Sequence, residues 1–155
     1  MNDLIKPKGF IELIIDYKNG QQKKMEFENT VLQNGRYALV KSLANEYGDS
    51  YEYYISSMVF GTNGTLDGVP KFVSDVRNGL FGLTVLSKTI SSSVDTTISQ
   101  VIFTSVISRS EANGQVLNEM ALRMADGDYY SMATFPDVSK TSAMQLTWNW
   151  RNSMI

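Results

Sequence analysis

The stretch from Glu111 to Ile155 restricts the possible folds more than any other part of the chain. It contains three segments in which apolar residues recur at every second position, separated by turn residues. Val116 to Met124 puts Val116, Met120, Leu122 and Met124 on one face. Tyr129 to Phe135 sets Tyr129, Ser131, Ala133 and Phe135 against Tyr130, Met132 and Thr134. Met144 to Trp150 aligns Met144, Leu146, Trp148 and Trp150. A period of two is that of a β-strand with one buried face. Between the first two segments, Ala125-Asp126-Gly127-Asp128 predicts a tight hairpin turn, because Asp and Gly accept the backbone conformations such turns need. Pro136, which has no N–H to give to a ladder, is expected to end the second strand.

The N-terminal half begins with the same pattern. Gly9 to Tyr17 alternates with Ile11, Leu13, Ile15 and Tyr17 on one face, and Gln21 to Glu28 answers with Met25 and Phe27. Asn19-Gly20 is the usual signal for a two-residue hairpin loop, but that loop would set odd positions opposite even ones and leave Leu13 beside Glu26. A three-residue loop, Lys18-Asn19-Gly20 with Gly20 in the left-handed region, pairs Leu13 with Met25 and Ile11 with Phe27. The bulged loop is therefore predicted.

Asn34 to Asn45 is the one helical pattern, with Ala38, Leu39 and Leu43, joined by Val40 and Ala44, as its apolar stripe and Arg36 and Lys41 on the other face. Asn34 is placed to cap its start, and Asn45 with Gly48 to end it. Tyr47, Tyr51, Tyr53 and Tyr54 lead into a strand over roughly Tyr54 to Phe60. Gly61 to Pro70 reads as a polar, glycine-rich loop. Lys71 to Asn78 fits either a short helix or an extended edge. Leu83 to Ile90 reads as a strand, Ser91 to Thr96 as a turn, Thr97 to Ile107 as a long strand, and Arg109 to Gly114 as a turn. The resulting fold class is mainly β. It is an antiparallel β-sandwich of about seven or eight strands, a single domain over residues 1–155, with a short helix at about 34–45 inserted after the first hairpin.

Composition narrows the chemistry. The 155 residues include no cysteine and no histidine, which excludes thiol catalysis and disulfides and removes the commonest general base and transition-metal ligand. The net charge is −2 and there is no basic run, so direct nucleic-acid binding has no electrostatic footprint. No apolar run reaches the roughly 18–20 residues needed to span a bilayer, and MNDLIKPKGF lacks the apolar core of a signal peptide. A soluble protein with no membrane partner and no cofactor is expected.

The candidate motifs are weak as chemistry. Gly61-Thr62-Asn63-Gly64-Thr65 offers converging N–H groups to a phosphate, but lacks the Gly-Lys-Ser/Thr of a Walker loop and reads first as a turn or assembly loop. Asp126-Gly127-Asp128 offers carboxylates to Ca²⁺, yet Ala133 stands where a calcium loop needs its glutamate, so a hairpin turn is expected there. Glu111 and Glu119 are expected to be solvated or ion-paired, with Arg123 on the strand face of Glu119 and a cross-strand partner as the default. Asn63-Gly64-Thr65 fits the glycosylation pattern by chance. Trp148 and Trp150 are expected in the core, because large aromatics dominate burial. Were they exposed, they would serve with Tyr129 and Tyr130 as subunit anchors or as a sugar platform. Asn63, Thr65, Tyr129, Tyr130, Lys140, Trp148 and Trp150 are therefore the candidate interface residues.

Several of these residues also form motifs that resemble those of a family, the structural proteins of tailed-bacteriophage virions (head decoration, neck and tail-collar type). Asn29, Val31, Gly35 and Arg36 resemble its N-x-V-x-x-x-G-R junction, and Ile55, Met58, Gly61 and Thr62 its I-x-x-M-x-x-G-T strand and loop. Ala112 to Gly114, Asn118, Glu119, Leu122, Ala133 to Pro136, Lys140, Thr141, Leu146, Trp148 and Trp150 resemble its C-terminal signature. The region from about Pro70 to Asp95 matches least. The resemblance implies a non-enzymatic virion component (tail, collar, neck or capsid decoration) that is found on the particle and, during assembly, in the host cytoplasm. Its implied partners are copies of itself, in a trimer or sixfold ring, and other virion proteins such as portal, capsid, tail or fibre. Eight methionines suit adaptable contacts. The alternative expectation is a carbohydrate-binding β-sandwich module using Tyr129, Tyr130 and the tryptophans.

Overall fold

A computed structural model of the chain describes residues 7–46 and 52–154. Its strands are β1 (Pro7–Tyr17), β2 (Gln22–Glu28), β3 (Thr30–Val31), β4 (Ile55–Gly61), β5 (Thr65–Leu66), β6 (Val69–Pro70), β7 (Leu86–Thr89), β8 (Ser91–Asp95), β9 (Gln100–Ile107), β10 (Val116–Met124), β11 (Tyr129–Ser139) and β12 (Met144–Met154). The helix α1 (Gln33–Ala44) lies between β3 and β4. Two five-stranded sheets, β2-β1-β12-β9-β8 and β3-β11-β10-β4-β7, pack face to face, and every pairing is antiparallel. The predicted antiparallel β-sandwich with one helix after the first hairpin is borne out.

The first hairpin has the predicted bulged loop. Ile11 pairs with Phe27 and Leu13 with Met25, Gly20 has φ 85, and its N–H reaches the Tyr17 carbonyl at 3.0 Å. The hairpin of β10 and β11 repeats the device, with Gly127 at φ 96 and its N–H on the Met124 carbonyl. Asp126-Gly127-Asp128 is accordingly a turn, in which Asp126 accepts the Asp128 N–H at 2.9 Å.

The core lies where the sheets' inner faces meet. Ile11, Leu13, Leu146, Trp148 and Trp150 on one side oppose Met58, Phe60, Met120, Leu122 and Phe135 on the other. The outer face of the second sheet is also apolar. Val59, Ala121 and Met132 pack there against Leu32 and Val73, with Leu80, Phe81 and Tyr129 around them. Residues 62–85 cover that face. This excursion holds the small β5–β6 hairpin, while Lys71–Asn78 follows neither predicted form and runs without regular secondary structure.

Four local expectations are corrected. Pro136 does not end its strand, because β11 continues to Ser139 through a register shift opposite Asn118, where a missing N–H costs the ladder nothing. The same shift lets Leu117 enter the core with Met120, so exposed Val116 does not. Ser91–Thr96 is not a turn: the chain leaves one sheet after Thr89 and joins the other at Ser91, and the turn comes at 96–99. On α1, Leu43 and Val40 are exposed, and burial falls on Gly35, Ala38 and partly Leu39. The residue before the helix is Leu32, which makes no side-chain cap. Asn45 closes the other end in the left-handed conformation, its N–H turned to the carbonyls of Lys41 and Ser42. Gly48, Tyr47 and Tyr51 lie outside the described residues.

Candidate interaction surface

The 62–85 excursion is fixed by two adjacent residues of β10, Asn118 and Glu119, which the register shift turns outward together. Glu119 is fully buried, and among the described residues no cation forms a salt bridge with it. Its carboxylate accepts three backbone N–H groups: Asn63 at 3.1 Å, Phe81 at 2.6 Å and Gly82 at 3.1 Å. This overturns the expectation of a solvated or ion-paired Glu119, since backbone donors from both ends of the excursion satisfy the charge. Glu111, by contrast, is ion-paired as expected, with Lys88 at 2.7 Å. Hydrogen bonds from Lys88 and then from the Ser108 N–H hold the Glu111 carboxyl below its ordinary range.

The glycine-rich loop therefore gives one N–H, that of Asn63, to an anion, and that anion is the chain's own carboxylate; the other two donors come from the far end of the excursion. A Cβ on Gly61 would lie 2.5 Å from Glu119 Oε1, and one on Gly64 would lie 2.2 Å from the Asn118 carbonyl oxygen. These glycines clear space for the clamp. Beside it, Gly64 donates to Asn118 Oδ1 at 2.7 Å, and Asn118 Nδ2 donates to Thr65 and Asp137. The Asn118 amide and the Thr65 hydroxyl, in that order of effect, hold the Asp137 carboxyl below its usual range.

Further bonds tie the excursion to its surroundings. Lys71 reaches Asn63, the Thr134 hydroxyl donates to the Lys71 carbonyl at 2.7 Å, and Arg36 pairs with Asp75 at 2.9 Å. Phe81 lies between the Arg77 guanidinium, 3.7 Å from its ring centre, and the Lys71 ammonium at 5.0 Å. On this pinned base, Leu66, Val69, Phe72, Val76 and Leu83 face solvent, Phe72 and Leu83 at 88% exposure each.

Of the candidate interface residues, Asn63 and Thr65 belong to this surface. Tyr129 is half-buried beneath it in the outer cluster. Tyr130 is buried and lines a separate cleft of about 400 Å³ with Leu39, Val101 and Asn152. Lys140 is buried and donates to Asn113 Oδ1 at 2.9 Å and to the Thr141 carbonyl at 3.0 Å, so it cannot present its ammonium to a partner. Trp148 and Trp150 are wholly inside the core, as expected of them, so neither serves as an interface or platform residue.

Sequence reasoning passed over Phe72, Val76 and Leu83. Phe72 and Val76 lie in a segment that fits either a helix or an extended edge, and Leu83 begins an expected strand, so neither reading marks them as exposed. No family model, curated protein or solved structure matches the chain.

Proposed function

We propose that this protein is a non-enzymatic building block of a multi-subunit particle, the tailed-phage virion component that its motifs resemble, and that it works by docking onto copies of itself and neighbouring proteins. One observation carries the reading: the 62–85 excursion is anchored by a buried carboxylate and yet holds large apolar side chains, Phe72 and Leu83 foremost, in water. A loop that needed only to connect strands would turn such residues inward or replace them. Apolar side chains displayed on a fixed base mark a contact surface. The titratable groups that a catalytic reading would enlist, Glu119, Glu111 and Lys140, are engaged within the fold.

Light scattering on the purified chain tests the proposal. The expected result is an oligomer, in the trimer to sixfold range, that Phe72→Asp with Leu83→Asp dissociates while circular dichroism keeps the β signature. A chain that stays monomeric at high concentration, and that is missing from purified particles without effect on their assembly, would overturn it.

A further inference from the structure

A sandwich with two open sheets has four edge strands, and each unpaired edge is a template for another chain. Three of the four are blunted. β2 carries Lys23, Lys24, Glu26 and Glu28 along its length, β3 is two residues long, and β7 is four residues long with Lys88 in its middle. The fourth, β8, is Ser91-Ser92-Ser93-Val94-Asp95. Each of its five residues is exposed, its charge is confined to its last residue, and among the described residues no strand lies on its outer side. The Asp95 carboxylate is already turned back onto the N–H and hydroxyl of Thr97.

We infer that β8 is a sheet-extension edge whose occupant is β8 of a second copy, joined antiparallel across a twofold axis at Ser93. The sequence of the strand favours its own copy as the partner. Centred on Ser93, the pairing sets Ser91 against Asp95 of the other copy and Ser92 against Val94, so the one charged residue meets a hydroxyl instead of its like. Serine side chains also leave the strands free to approach to the roughly 4.7–4.9 Å spacing of a sheet. The joined sheet is then ten strands wide, with β2 and its guarding charges at both outer ends. This contact rests on the self-assembly reading above but uses a different surface from the 62–85 excursion.

The absence of cysteine makes the test clean. Ser93→Cys places one thiol per chain on the axis, where opposed Cα atoms of neighbouring strands, about 4.5–5.5 Å apart, lie within the range a disulfide bridges. Mild oxidation is expected to give a covalent dimer, whereas Lys23→Cys on the guarded β2 edge gives none. Ser93→Lys sets two ammonium groups face to face on an exposed strand, so the fold is kept. It is expected to lower the mass seen by light scattering about twofold at low salt. If the wild-type chain is an oligomer that Ser93→Lys leaves intact, and Ser93→Cys links no better than Lys23→Cys, the β8 contact is refuted while the assembly reading stands. If the wild-type chain stays monomeric at high concentration, the β8 contact is refuted, and the assembly reading falls with it when particles lacking the chain assemble normally.

Discussion

Glu119 shows how a single side chain organises its neighbourhood. Three N–H groups converge on it, and they come from chain segments on either side of the excursion it holds. Replacing it by alanine strands three donors in a buried place, each worth about 1–3 kcal/mol when unsatisfied. Glu119→Ala is thus expected to lower stability by at least about 3 kcal/mol in urea unfolding, and to raise proteolysis within 62–85 before the rest of the sandwich. Glu119→Gln keeps the shape but turns an amide N–H toward backbone donors, so it recovers only part of the loss. The sequence made Glu119 look like half of a strand-face ion pair with Arg123. What it did not reveal was the register shift at Asn118, which turns two successive side chains outward and under the loop. Asp137 and Glu111 are held below their ordinary values of 3.8 and 4.5. Their folded forms therefore bind protons less readily than the unfolded chain. Their stabilisation is complete above those values and is lost as pH falls through the lower folded-state ones. Lys140 contributes a cost instead, because burial lowers its value from 10.5; stability again rises with pH, as that cost eases toward the same figure. A melting series from pH 7 to about 2.5 is expected to fall below about pH 4.5, and Asp137→Asn is expected to flatten part of that fall.

Elements were legible wherever one face decided their register. The first hairpin is the clearest case, since the requirement that Leu13 meet Met25 is enough to select the loop length. The helix was found, but its buried face was misjudged, because a stripe of leucines describes a helix lying on a core along its whole length. Here α1 meets the sandwich mainly near its start. Gly35 is the reason it can approach so closely: a Cβ there would come within 2.2 Å of the Tyr130 carbonyl oxygen. Gly35→Ala, ordinarily favourable inside a helix, is therefore expected to destabilise by about 1–3 kcal/mol as the helix is pushed off β11. Leu43→Ala, at an exposed position, should be nearly silent. Thermal unfolding of the two variants side by side distinguishes this arrangement from a helix packed along a continuous leucine stripe. The strand β8 was read as a turn because three serines lack a buried face, so it carries no period for sequence reasoning to detect.

At the scale of the whole molecule, the two sheets are joined by aromatic rings that alternate between them. Phe27 of the first sheet meets Phe135 of the second at 5.3 Å, Phe135 meets Trp148 of the first at 5.1 Å, and Trp148 meets Phe60 of the second at 5.2 Å. The apolar faces that carry Phe27 and Trp148 are legible in the sequence, but the order of the rings across the sandwich is not, since it depends on which strands neighbour each other. Trp148 holds the central place, touching both rings of the opposite sheet, and its ring is fully buried. Removing it empties the space between the sheets at a point where neither can collapse without moving the other. Trp148→Ala is therefore expected to cost about 3–5 kcal/mol, a large share of the roughly 5–15 kcal/mol available to a domain of this kind. The series also makes the effects of its members interdependent. Once Trp148 is gone, Phe60 and Phe135 have lost their shared partner, so Phe60→Leu should cost less in that background than in the wild type. A double-mutant cycle by urea unfolding measures the difference. A coupling of about 0.5–1.5 kcal/mol is expected for a direct ring pair, and a value indistinguishable from zero would mean that the rings fill the core without linking the sheets.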